Sequence, residues 1–451
     1  MRLGLMFLIL LVSACSNLPQ SYAPVDIAEE APVQWQNTVN DVSGNEDLLG
    51  LVPNTGLESW LEIALNDNPA LKRSLMKVAE AIWLSEQTSA NKLPTIDLSV
   101  DSQRTRETAS QNISNTFGLA VSTRWELDTW GKLADLRQAS LLEESAFKAD
   151  FEYAKRSLAA NFLKIWLTWV NARLQLQIEQ KRLHTLITNG DFVRERYQLG
   201  LGSISDLETA RSDSEQAKAR VARQEESVAS TQRQLQKILG ALNPVEGLPE
   251  RWGDIQFPSL NLPAKSLGRR PDLLAAYLRI QIADTNSTIA YKNLLPSFSL
   301  NLNINQSQPK ASDLLSNDPG WLLLGQITQP LFQGGRLRAE LKATESRAQQ
   351  AYWGYREQLL NALLEVEDSL SQERSFAHQY VALEKALQYA NTSQKQFEKR
   401  YRQGLVTVMD LLDAQKTTYD LQIQLLGVAL SRATNRINLG LALGLPIKSG
   451  A

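Results

Sequence analysis

The side chains that most often carry chemistry are scarce and scattered in this sequence. The 2 histidines, His184 and His378, sit in long helical stretches with no cysteine partner and no metal-type spacing. They read as surface or seam residues. Glu126 and Asp128 stand close together beside Trp125, but carboxylates at a strand end need not form an acid–base pair. Gly200-Leu201-Gly202 lacks the third glycine and the preceding strand of a phosphate-cradling loop. The expectation is therefore no catalysis, no cofactor and no metal site. Energy for any work must come from a partner.

The elements that surround these residues say more. The chain has 451 residues and a net charge of −2, with 47 Lys and Arg interspersed among 49 acidic residues. Such a surface gives no reason to expect nucleic acid. Beyond the N-terminus no apolar run approaches the ~20 residues of a membrane helix. Arg2, the apolar stretch Leu3 to Val12 and the small residues Ser13 and Ala14 form a secretory signal, expected over residues 1–14. Val12-Ser13-Ala14-Cys15 resembles the bacterial lipobox, which makes Cys15 the expected lipidation site. By the same resemblance Ser16, not being aspartate, permits sorting to the outer membrane. Cys15 is the sole cysteine, so no intrachain disulfide forms.

The sequence repeats itself. Asn68-Pro69-Ala70-Leu71 returns as Arg270-Pro271-Asp272-Leu273, an offset of 202 (271 − 69). Leu93-Pro94-Thr95 returns as Leu295-Pro296-Ser297 at the same offset. Trp130-Gly131-Lys132-Leu133 returns as Gly334-Gly335-Arg336-Leu337, and Arg196-Tyr197-Gln198-Leu199-Gly200 as Arg400-Tyr401-Arg402-Gln403-Gly404, both at 204 (335 − 131). Asp206-Leu207 and Ala210 match Asp410-Leu411 and Ala414. The organisation expected is a lipid-anchored extension at 15–55, a first repeat at 56–240, a connector at 241–268 and a second repeat at 269–447.

Each repeat reads as helix, strand, loop, strand, very long helix. Leu133 to Asn189 contains neither Gly nor Pro, and as one helix it would run for about 85 Å. Tyr355 to Gln403 and Ser203 to Leu239 are also free of breakers. In the last, Leu207, Ala210, Ser214, Ala217, Val221, Gln224, Val228, Thr231, Leu235 and Ile238 alternate by 3 and 4, the seam of a coiled coil. Strands are expected at about 95–103, 117–125, 297–305 and 321–329. Phe298 to Asn305 alternates apolar with Ser or Asn throughout, while Leu322, Leu323 and Leu324 blur the fourth strand. One dry face and one wet face, with Phe117, Phe298 and Trp321 as interfacial aromatics, suit membrane-crossing strands.

Four strands cannot close a barrel, and lipid offers open edges no partner. Membrane strands of this number require a shared barrel: eight from a dimer, twelve from a trimer or sixteen from a tetramer. Pattern and sterics do not choose among them.

Over nearly the whole mature chain the residues resemble the TolC-type outer membrane factors, lipoprotein branch. The resemblance rests on Arg270-Pro271-Asp272-Leu273, Leu295-Pro296-Ser297-Phe298, Gln329 to Leu337, Trp125 to Gly131, and Tyr401-x-x-Gly404 followed by Asp410 to Ala414. It implies a mainly α fold with a small membrane β-part: a homotrimer whose twelve-stranded transmembrane β-barrel continues into a long α-helical barrel, with two structural repeats per chain. It implies an outer-membrane location extending into the periplasm, a periplasmic adaptor and, through it, an inner-membrane pump. Drugs, detergents, metal ions or peptides would leave through the duct. The connections at about Arg104–Thr116 and Gln306–Gly320 would be extracellular, with Pro94, Pro296, Gly118 and Gly325 at strand ends or bends.

The resemblance also locates a periplasmic gate at Tyr401, Asp410 and Asp413. Threefold symmetry would gather the carboxylates into rings that attract cations. Asp410 read by itself is also a favourable first-turn helix charge. The adaptor-contacting tips map to Gly200, Leu201, Gly202 and Ser203, and to Gly404, Leu405, Val406 and Thr407. Some relatives carry an arginine where this chain has Val406, so a gate closed by that salt bridge is not expected. Two other functions fit the sequence: the duct of a type I protein or peptide secretion system, and a coiled-coil lipoprotein linking membrane to cell wall.

Overall fold

The computed structural model describes residues 19–23, 32–37, 44–53, 56–106, 113–316 and 318–447. The expected signal sequence and Cys15 lie outside the described residues. Helix α1 spans Leu57–Asp67 and α2 spans Pro69–Ala90, followed by strands β1 (Thr95–Arg106) and β2 (Ile113–Leu127), then α3 (Lys132–Gln198) and α4 (Ile204–Ile238). A short α5 (Pro263–Leu267) precedes α6 (Pro271–Lys292), β3 (Ser297–Gln308), β4 (Gly320–Thr328), α7 (Arg336–Arg402) and α8 (Val408–Ala442). Helices α2 and α6 both have 22 residues, α3 and α7 both 67, and α4 and α8 both 35. Equal lengths at three successive positions mark duplication of a whole folding unit. Among the described residues no helix is long and apolar enough to cross a membrane.

The long helices run further than their breaker-free stretches, continuing through Gly190 and Gly354. An interior glycine weakens a helix by about 1 kcal/mol, which packing along dozens of residues outweighs. At Gly190 an added Cβ would meet Ser214 Oγ of α4 at 3.7 Å, so the small residue marks close helix approach.

The chain divides into two compact units. One comprises Met1–Val25, Met76–Ala149 and Leu274–Gln358, and contains the sheet. Its four strands run in the order β1-β2-β3-β4, antiparallel throughout. Leu98 stands opposite Val121, Val121 opposite Ile304 and Ile304 opposite Trp321, giving an apolar row. One residue along, Asp97, Ser122 and Asn303 form a polar row on the other face, which ends at Leu322. Both outer strands, β1 and β4, are exposed along their entire length. Part of the expected Arg104–Thr116 connection is strand, since β1 continues to Arg106 and β2 begins at Ile113. Gly118 and Gly325 lie inside β2 and β4 rather than at their ends, opposite Asp101 and Leu300. At Gly118 the reason is space: a Cβ there would sit 2.3 Å from Asp101 Oδ1.

The other unit comprises Asp26–Leu75, Asp150–Leu273 and Leu359–Ala451. Its core gathers Leu48 and Leu51 of the N-terminal extension, Leu57 and Leu61 of α1, Phe162, Trp166 and Val170 of α3, Leu235 of α4, Ile255 of the connector and Ile437 of α8. Buried Trp166 donates its indole N–H to the Pro249 carbonyl at 2.9 Å. The extension and connector thus complete the core that the helices leave open. All ten residues of the 3–4 seam on α4 are buried or half-buried.

Candidate functional site

The helical tips are built twice by the same local rule. Helix α3 ends at Gln198, where Gly200 turns to φ 71°, Leu201 N–H donates to Arg196 O at 2.9 Å and Gly200 N–H donates to Tyr197 O. Helix α7 ends identically: Gly404 has φ 73°, Leu405 N–H donates to Arg400 O at 2.9 Å and Gly404 N–H donates to Tyr401 O. This is the Schellman arrangement, in which a left-handed glycine satisfies the last carbonyls. An added Cβ at Gly200 or Gly404 meets nothing within 4 Å, so backbone conformation, not space, demands glycine. After five residues the next helix starts on a hydroxyl cap. Ser203 accepts from Asp206 N–H at 3.1 Å, and Thr407 accepts from Asp410 N–H at 3.2 Å.

Between cap and glycine each tip presents apolar surface to solvent. Leu201 is 65% and Leu405 63% exposed, with Leu199 and Ile204 flanking the first. Val406 is half-buried and Thr407 exposed. Behind the tips an apolar joint holds Val193 of α3 and Leu207 and Ala210 of α4 against Val408 of α8. A second layer adds Leu186, Ala217 and Leu412.

Asp410 and Asp413 are both exposed on the first turns of α8. Asp410 completes a capping box: its Oδ2 accepts from Thr407 N–H at 2.8 Å and from the Thr407 hydroxyl at 2.6 Å. Those bonds, first from the side chain and then from the backbone of Thr407, hold its pKa below the ordinary 3.8. The sign follows. The cap is fully present above about pH 4 and is lost as pH falls through the depressed value. A nitroxide at Val406 should therefore gain mobility as pH falls below about 4 in the parent chain, and show no such step with Asp410→Asn. Tyr401 does not turn toward the aspartates. Its ring stands edge-on to Phe192 of α3 at 5.8 Å, and its hydroxyl is buried without a hydrogen-bond partner.

A polar ladder above the tips escaped the reading of the sequence. Arg182 donates to Asp420 at 2.8 Å, Thr185 meets Tyr419 at 3.0 Å and Asn189 donates to Gln415 at 2.8 Å, joining α3 to α8 in antiparallel register. Glu179, buried, faces both Arg182 and Arg220. The helical spacing of 182, 185 and 189 against 415, 419 and 420 was visible, but pairing two helices more than two hundred residues apart was not. Among the described residues no cluster of His, Cys, Asp and Glu could hold a metal ion.

Helical hairpins with twin tips, in a chain that duplicates helix, hairpin and helix pair, match one family along both halves. The family described as outer membrane efflux protein covers residues 60–241 and 262–445. The chain belongs to that family. The probable outer membrane lipoprotein SilC of Salmonella typhimurium is 28% identical, with 84% of each chain covered. The cation efflux system protein CusC of Escherichia coli K12 is 25% identical, over 96% of this chain and 97% of that one. The open-state crystal structure of the Neisseria gonorrhoeae MtrE outer membrane channel superposes with a TM-score of 0.84 at 23% identity, over 96% of this chain and 98% of the other, a likeness of fold. This efflux protein is an exit duct of the outer membrane.

Proposed function

We propose that three copies of this chain share one twelve-stranded barrel, and that the duct so formed receives substrates from a periplasmic adaptor bound to an inner-membrane pump. The observation that carries the reading is the pair of exposed edges, β1 and β4, on a four-stranded sheet with an apolar face. Open edges in lipid leave backbone groups unsatisfied at several kcal/mol each, and pairing β1 of one copy with β4 of the next removes them. Cys15 carries the lipid that holds each subunit at the membrane. The mass of the detergent-extracted particle decides the oligomer: a mass of three chains is expected, and a monomeric particle with no bilayer conductance overturns it.

The adaptor docks on the tips, where Leu201 and Leu405 offer apolar contacts that glycines 200, 202 and 404 and the hydroxyls of Ser203 and Thr407 position. The gate is formed by Asp410 and Asp413 around the threefold axis, with Tyr401 packed behind them against α3. Asp410→Ala with Asp413→Ala should raise single-channel conductance and antibiotic leakage several-fold. Unchanged currents in the double variant dismiss the gate and leave the duct standing.

A further inference from the structure

The sheet-bearing unit holds a short piece of the N-terminal extension in an unusual way. Asp284 on α6 turns its carboxylate to three donors in a row. Oδ2 accepts from the Ser21 hydroxyl at 2.6 Å, from Tyr22 N–H at 3.0 Å and from Ala23 N–H at 3.1 Å, and Oδ1 lies 3.2 Å from Tyr22 N. The Tyr22 hydroxyl accepts from Gln349 Nε2 of α7 at 2.8 Å. Charge-assisted bonds to consecutive backbone N–H groups fix position and direction together. In the helical unit the same chemistry recurs at Glu367, which accepts from Gln36 N–H at 2.6 Å and from Asn37 N–H at 3.0 Å. Helix carboxylates thus grip backbone N–H groups at two points along this extension.

We infer that Asp284 is a docking point for the chain leaving the lipid anchor, setting a short leash between the acylated Cys15 and the foot of the second hairpin. The inference rests on lipidation of Cys15. From Cys15 to Ser21 the fully extended chain reaches only about 20 Å. Along α6 from Asp284 to Lys292 is about 12 Å, and the turn through Pro296 then enters β3 at Ser297. The leash is therefore long enough to span that rise and too short to reach much beyond it. An acyl group in the periplasmic leaflet holds β3 at the height where it must enter lipid, and the clamp keeps that height from drifting.

The test is chymotrypsin cleavage after Tyr22, the residue at the centre of the clamp, on the full-length chain extracted from the outer membrane in detergent. With the clamp intact the bond is protected. Asp284→Ala should speed its cleavage roughly tenfold or more, since cleavage follows the open population. Asp284→Asn, which keeps one acceptor, should fall between. The yield of heat-modifiable oligomer should drop in the same order. Equal cleavage rates in the parent and Asp284→Ala overturn the clamp. Radiolabelled palmitate incorporation reads the anchor separately. A chain that takes up no palmitate yet shows the Asp284-dependent protection keeps the clamp and loses the leash.

Discussion

Arg270→Ala is expected to lower the stability of the helical unit by about 3–5 kcal/mol per chain, the penalty for breaking a buried ion pair from one side. Arg270 is 4% exposed. Its guanidinium grips Asp272 with two bonds, Nε to Oδ1 at 3.1 Å and Nη2 to Oδ2 at 2.8 Å. Nη1 reaches Glu365 on α7 at 2.7 Å and the Ala442 carbonyl at the end of α8 at 3.2 Å. One side chain thus ties the start of α6 to both helices of the second repeat. Burial by itself would lower the arginine pKa, but the bonds and charges of Asp272, then Glu365, raise it above its ordinary value. A raised value means stabilisation fully present below the unfolded arginine's own pKa, so on the arginine's side the effect does not vary over the working pH range. Arg270→Lys should recover little, because an ammonium cannot make the two-pronged contact. Denaturant midpoints followed by tryptophan fluorescence give the measurement. Arg336→Ala, which removes an exposed pair with Glu340, is the control and should shift the midpoint by no more than about 1 kcal/mol. Similar midpoints for the two variants would remove Arg270 from its role as a tie.

The second large effect is a test of sheet alternation. Val100→Lys places a charge on the apolar face of β1, in register with Leu119 of β2. For a lipid-facing strand position near the bilayer centre the penalty is about 2–4 kcal/mol per chain, and it recurs in every subunit of the barrel. Ser99→Lys, one residue earlier, lands on the face of Ala120 and Asn305. The expected outcome is loss of heat-modifiable oligomer for Val100→Lys. For Ser99→Lys, assembly should persist with altered conductance and ion selectivity. Both variants assembling equally would remove the sheet from lipid.

How much of this was legible beforehand differs by element. The 3–4 seam on α4 lay open because a coiled-coil position repeats locally, and Leu207, Ala210, Ala217, Leu235 and Ile238 are indeed buried. Strand β3 was equally clear, since strict alternation of Ser and Asn with aliphatics has no other economical reading. Strand β4 was harder. Leu322 and Leu324 share the face of Asn303 and Asn301, so alternation fails where both faces are apolar. Gly190 and Gly354 stopped the helices in the sequence but not in the fold, because helix–helix packing overrides a single weak residue.

By itself the sequence determined the duplication, the kinds of element and their order, for these depend on local periodicity, turn residues and self-similarity along one chain. The family resemblance mapped the tips to Gly200 and Gly404, the two residues that turn left-handed at the ends of α3 and α7. Tertiary structure alone decided who meets whom. The docking of Ser21 to Ala23 on Asp284, the ladder from Arg182 to Asp420, Tyr401 turning to Phe192, and Asp410 closing back on Thr407 are all directional contacts. Apart from the last they join residues far apart in sequence, and a hydrogen bond requires a partner within about 3 Å at a suitable angle. Composition and spacing carry no record of such distances until the helices have packed.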